Sequence, residues 1–147
     1  DHRDLHSFPT RRSSDLEAKP HVLLSKNHPL AHEKILTLEK LSNYPRLSYD
    51  QGTNNSFYFS EEPHATELVR KSIIVSDRAT LFNILIGLNG YTISSGRISN
   101  SLDGDNIISI PLETDEIMDM VYVYNPDKPM KEITKMYLEI LKNEVNI

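Results

Sequence analysis

Cysteine is absent from the 147 residues and glycine occurs only five times. Without thiols there can be neither a disulfide scaffold nor a zinc site built on thiolates. Long hydrophobic runs are missing as well. The longest, Leu81 to Leu88, is interrupted by Asn83 and falls well short of the ~20 apolar residues that a membrane-spanning helix requires. Positive charge is the scarcer sign, with 16 Lys plus Arg against 21 Asp plus Glu and a formal net charge of −5. No basic block interrupts that balance. Non-specific nucleic-acid affinity needs a clustered positive face, so any DNA-related role of these residues is indirect. What is present suffices for roughly one domain of ordinary size, with no internal repeat and no low-complexity segment.

The first 16 residues, DHRDLHSFPTRRSSDL, are unlike the rest. They hold scattered apolar residues with neither a helical nor a strand period, so they are not expected to bury a face. Ten of them, HSFPTRRSSD, resemble the conceptual translation of a sequencing adapter, and residues 1–16 are set aside from fold reasoning as a tag would be. Their three Arg and three Asp cancel, so the remaining 131 residues keep the charge of −5.

From His21 onwards the pattern is orderly. HVLLS, His21 to Ser25, reads as a buried strand ended by Lys26, Asn27 and Pro29. Thr37 is expected to cap a short helix, Leu38 to Asn43, with Leu38 and Leu41 on one face and Pro45 as its stop. Arg46 to Tyr49 alternates as a half-buried strand and runs into a polar loop that opens a helix through Phe57 and Phe59. Lys71 to Val75 is a continuous β-branched strand, followed by Ser76 and Asp77, a helix from Ala79 to Leu88 that is apolar nearly all round, and a left-handed turn at Asn89 and Gly90. Tyr91 to Ser94 is the next strand. Strand, crossover helix and strand in about 25 residues make a βαβ unit with parallel strands. Asp103 to Asp105 form a turn before Ile107 to Ile110, and Ile117 to Tyr124 is another strand. The last element is a helix capped by Asp127, with Pro129 near its start and Met130, Ile133, Tyr137, Ile140, Leu141 and Val145 on one stripe.

Candidate chemistry is sparse. Ser76 and Asp77 at a helix start could offer unpaired backbone N–H groups, the positive end of the helix dipole and a hydroxyl to a small anion; equally, Ser76 could simply cap the helix. The loop Asp50, Gln51, Gly52, Thr53 follows the C-terminal end of a strand, where open α/β sheets place ligands, with an amide, a hydroxyl and a glycine that permits close approach. An ordinary polar loop is the alternative. His28, His32 and Glu33 could space a metal on a helix, but Pro29 argues against one, and solvated loop histidines are expected. His64 with Glu61 and Glu62 fares no better. Asp103 to Asn106 lacks the alternation and distant Glu of a calcium loop. Ser94, Ser95 and Gly96 do not make a nucleophile elbow. No catalytic constellation assembles, so no enzyme activity, metal or cofactor is expected. Tyr122, Tyr124 and Tyr137 read as core.

The order of segments resembles the regulatory region of LysR-type transcriptional regulators. The likeness rests on HPLA at His28 to Ala31, LTLEKLSNYPRLSYDQG at Leu36 to Gly52, VSDRATLFNILIGLNGYTISSG at Val75 to Gly96, and ISIPLETDEIMDMVYVYNPDKPMKEITKMYLEIL at Ile108 to Leu141. It departs from the family at Leu88, where a glycine is usual, and at Ser94 to Gly96, where a proline commonly follows the strand. The resemblance implies an α/β, Rossmann-like regulatory subdomain of the type II periplasmic-binding-protein fold with part of the second lobe. It implies residues 17–26 in subdomain I, 27–106 as subdomain II, and 107–147 as return strands and C-terminal helix of subdomain I. The chain would cross the hinge near Lys26 to Pro29 and again near Ile107 to Pro111.

The function so implied is effector sensing in a bacterial, cytoplasmic regulator. Ser76, Gln51, Thr53, Tyr49, Gly52 and Asp77 would meet a small polar metabolite, and YDQG at Tyr49 to Gly52 suggests an amino-acid-like effector such as an acylated serine. DNA would be contacted only through an N-terminal winged helix-turn-helix that these residues do not include. The full-length protein would be a homo-oligomer with Asn54 to Phe59 and Leu68 to Val75 at an interface. A lobe of a transporter's solute-binding protein is the alternative, since fold alone does not separate the two.

Overall fold

The computed structural model describes residues 11–50, 69–96, 106–125 and 127–145. Its elements are strands β1 (Arg11–Ala18) and β2 (His21–Ser25), helix α1 (Leu38–Leu41), strands β3 (Arg46–Tyr49) and β4 (Ser72–Val75), helix α2 (Arg78–Gly87), strands β5 (Tyr91–Ser94), β6 (Ile107–Pro111) and β7 (Met118–Tyr124), and helix α3 (Glu132–Val145). The expected helix through Phe57 and Phe59, the turn at Asp103 to Asp105 and the loop residues Gln51, Gly52 and Thr53 lie outside the described residues. The chain divides into two compact units, Lys19–Met118 and the two flanks together.

The Lys19–Met118 unit is built on a five-stranded sheet in the order β4-β3-β5-β2-β6. β3 runs parallel to β4 and to β5, as the βαβ reading expects. β2 is antiparallel to both β5 and β6, so β6 points the same way as β3, β4 and β5. Four strands therefore run forward around a single reversed one. This unit extends past 26/27 and 106/107 on both sides, and β2, which pairs with β5 and with β6, belongs to the same sheet as β3 and β4.

Side-chain alternation in the strands produces two cores, one on each face. On one face Val22, Leu24, Tyr91, Ile93 and Ile110 close over Leu36, Leu41 and Leu112. Thr37 caps α1 as expected, accepting from Lys40 N at 3.2 Å, and Leu41 is fully buried, but Leu38 is 46% exposed. On the other face Leu23, Leu47 and Ile107 pack with Leu81 and Leu85 of α2. The apolar circumference of α2 is thus only partly covered, since a helix lying on one sheet buries one side. Ile86 and Leu88 remain exposed. β3 is buried throughout Arg46, Leu47 and Ser48 rather than half-buried, because it lies between two strands with both faces covered.

The turn after α2 differs from the expected left-handed one. Leu88 is the C-cap in extended conformation, and among the described glycines only Gly96 has a positive φ, +81°. Gly90 is needed for space: a Cβ there would collide with Leu47 Cδ1 and sit 3.0 Å from Pro45 O.

In the flanking unit β1 pairs with β7. Residues 11–16 accordingly form strand where their side-chain pattern predicted no element; backbone pairing satisfies N–H and C=O groups whatever the side-chain period. α3 begins at Glu132, not after Asp127. Asn125 organises the preceding turn, accepting from Asp127 N through Oδ1 at 2.9 Å and from Lys128 N through its carbonyl at 3.2 Å. Pro129 also disfavours helix at the residue before it. The stripe on α3 is largely uncovered, with Ile133, Met136, Tyr137, Ile140 and Leu141 between 42% and 70% exposed. Tyr137 is therefore a surface residue rather than core. Tyr122 and Tyr124 are half-buried, their ring centroids 6.0 Å apart.

Candidate functional site

The strand directions bring the C-terminal ends of β3, β4, β5 and β6 and the beginning of β2 to one edge of the sheet. Open α/β sheets place ligands beyond such an edge, where loops diverge and helix starts converge. Tyr49 pairs with Val75 at the end of the β3–β4 ladder, and Asp50 N donates to Val75 O at 2.8 Å. Ser76 and Asp77 follow at once and lead into α2. In the neighbouring ladders Ser94 of β5 pairs with His21, which pairs on its other side with Pro111 of β6. Tyr49, Asp50, Ser76 and Asp77 thus stand at the same edge of the sheet. Ser94 and His21 join them.

The roles of Ser76 and Asp77 are divided differently from the expectation. Asp77, not Ser76, is the N-cap of α2: its Oδ1 accepts from Thr80 N at 2.9 Å and its Oδ2 from Thr80 Oγ1 at 2.8 Å. Both residue types cap well, so adjacency in sequence left the choice open. Ser76 lies one position outside the helix, and its Oγ donates to Asp77 Oδ2 at 3.4 Å. The backbone N–H of Thr80, then its hydroxyl, hold the Asp77 carboxyl below its usual value. The positive end of α2 is therefore met by a carboxylate of its own chain, which makes it a poor receptor for a second bare anion.

His28 was expected to be a solvated loop residue and is instead 2% exposed. Its Nδ1 accepts from Leu30 N at 3.0 Å, its Nε2 donates to Asn89 O at 3.3 Å, and its ring lies 4.4 Å from that of Tyr44. The tight turns after β2 fold the ring inwards: His28 N donates to Ser25 O and Ala31 N to His28 O, each at 2.9 Å. Burial lowers the imidazole pKa, opposed by the hydrogen bond to the Asn89 carbonyl. Both nitrogens are committed within the fold, so His28 is a brace and not a ligand. His32 is exposed. Among the described residues no group of three His, Asp or Glu side chains comes together as a metal site would require.

No protein-family model matches the sequence, and no curated protein does. Solved structures do match. HinK, a LysR family transcriptional regulator from Pseudomonas aeruginosa, aligns with a TM-score of 0.70 at 14% identity over 99% of this chain and 50% of its own. The effector-binding domain of QuiR, in complex with shikimate, gives 0.65 at 13% identity over 94% of this chain and 66% of that one. The regulatory domain of CcmR from Synechocystis PCC6803, in complex with 2-PG, gives 0.58 at 11% identity over 95% and 69%. At such identities the likeness is one of fold: the chain has the α/β, periplasmic-binding-protein-like fold of LysR effector-binding domains. It spans about half the length of the first regulators it matches.

Proposed function

We propose that the chain is part of the effector-sensing region of a LysR-type transcriptional regulator, with residues 27–106 in its second regulatory subdomain and parts of the first on either side. The observation that carries this reading is the reversed β2 between forward strands β5 and β6, in a fold that aligns with HinK over 99% of the chain. The ligand is a small polar metabolite held at the edge where Tyr49, Ser76 and Asp77 stand, with Gln51, Gly52 and Thr53, next in sequence after Asp50, as further contacts of the proposal. It acts by population shift, binding one arrangement of the subdomains better than another. DNA contacts then belong to a winged helix-turn-helix outside these residues, in a cytoplasmic homo-oligomer.

That the QuiR and CcmR domains were solved with shikimate and 2-PG, both small polar molecules, supports the ligand class. The test is a thermal-shift screen of the 147-residue chain against hydroxy acids and amino acids. A compound that raises Tm in the parent and not in Ser76→Ala supports the site. Stabilisation that Ser76→Ala and substitutions at Asp50 leave untouched places the ligand elsewhere and overturns it.

A further inference from the structure

His21 opens β2, the one described strand of the five-stranded sheet that starts at the ligand edge, and it lies between Ser94 and Pro111 in the ladders on either side. The ring is half-buried. Its Nδ1 is 2.8 Å from Lys19 O. A carbonyl oxygen can only accept, so Nδ1 carries the proton and the neutral ring keeps its lone pair on Nε2.

A second contact sets the ring plane. Gly96, at φ +81°, lies so close that a Cβ there would be 2.5 Å from His21 Cγ and 2.7 Å from Nδ1. Only glycine combines that backbone conformation with that approach. Gly96 is itself held by its N–H donating to Ser94 Oγ at 3.2 Å. By strand alternation Ser94 and His21 face the same side of the sheet, the side on which α2 packs. Tautomer and orientation are therefore fixed from two directions, in a side chain that belongs to neither core cluster.

We propose that His21 Nε2 is a hydrogen-bond acceptor for the ligand, selecting small polar molecules that present a hydroxyl or ammonium donor to it. The inference rests on the site reading given above and narrows its ligand class. At the same edge the Nε2 lone pair stands with two carboxylates, that of Asp77, already engaged by Thr80 and Ser76, and that of Asp50. Donor groups match that set, whereas a bare anion would meet negative charge already in place.

The experiment is NMR of the 147-residue chain with ¹⁵N-labelled histidine and backbone, His21→Gln serving to assign the His21 signal among the six histidines. The probes are L-serine, shikimate and glycerol as donors, and acetate as a carboxylate without one. The expected result is that a donor probe moves the His21 Nε2 signal while that nitrogen stays unprotonated, and moves the amides of Asp50, Ser76 and Ser95. Acetate leaves Nε2 in place. His21→Phe, which keeps a ring against Gly96 and lacks the acceptor, should weaken the responding probe about tenfold with its amide spectrum otherwise preserved. If the amides at the edge respond and Nε2 does not, His21 only braces the turn, the inference fails and the site stands. If acetate binds and protonates Nε2, the ligand class is wrong. If no probe moves any amide at the edge, both the inference and the site fall.

Discussion

His28 donates from Nε2 to the carbonyl oxygen of Asn89, 61 residues away, at 3.3 Å, and so ties the loop after β2 to the end of α2. Only the neutral ring can do this while Nδ1 accepts from Leu30 N. Because burial lowers its pKa from 6.5, the stability that the neutral ring contributes is complete above about pH 6.5 and is lost as pH falls from there towards the folded-state value. Chemical denaturation at a series of pH values should show stability declining below about pH 6.5, before carboxylates begin to protonate. His28→Gln should flatten that slope, and His28→Ala should cost about 2–4 kcal/mol through the cavity and the two unpaired backbone groups.

Gly90→Ala tests the close approach of two chain segments. The new methyl meets Leu47, which is fully buried, and the carbonyl of Pro45. Overpacking of this kind costs about 1–3 kcal/mol. In a Leu47→Ala background the same substitution should cost much less, giving a coupling in a double-mutant cycle of urea midpoints. Equal costs in both backgrounds would show that the collision is not the cause.

Asp77→Ala should lower Tm by a few degrees, since it removes the cap of α2. The contribution of its carboxylate, held below the usual value by Thr80, is present above the ordinary Asp range and is lost as pH falls through the depressed one. Ser76→Ala, one residue earlier, should leave Tm nearly unchanged because Ser76 caps nothing. Ligand response is then readable in Ser76 variants free of a stability effect.

The apolar stripe on α3 should drive concentration-dependent association of the 147-residue chain. Light scattering should report growth in mass with concentration, and Tyr137→Lys together with Ile140→Lys should suppress it. Clean monomeric behaviour of the parent over a wide concentration range would contradict this.

With a net charge of −5 and no basic block in the sequence, these residues should give no sequence-selective retardation of DNA in a gel-shift series at low salt. Retardation that weakens with salt and tracks sequence would contradict the assignment of DNA contacts to another domain.

Local signals in the sequence carried much of the fold. The apolar HVLLS, the β-branched KSIIV and the capped helix at Leu38 stand close to where their residues suggested, and so does the parallel relation of β4 and β5. What stayed illegible was pairing. Periodicity says that His21–Ser25 is a buried strand but not that it runs backwards between β5 and β6. Ser76 and Asp77 are both capping types, and only the backbone decides between them. His28 follows a strand and precedes a proline, a context that usually means solvent; the turns that bury it are set by tertiary contacts with Tyr44 and Asn89. His21 was not singled out in the sequence, because its value depends on Gly96, 75 positions further on.

Leu112 N donates to Pro20 O at 3.1 Å, so the chain leaves the β2–β6 ladder one hydrogen bond from where it entered. The direction of any pull between those two points follows from this. Tension that draws residue 19 away from residue 112 loads the rungs of the ladder one after another, as a zipper is opened, and not all at once, as sheared strands would be. The first rung in line is that Leu112 N to Pro20 O bond, and the His21–Pro111 pair lies directly behind it. A small separation of the entering and departing segments is therefore registered at His21 while Ser25 and Ile107, at the far end, remain paired.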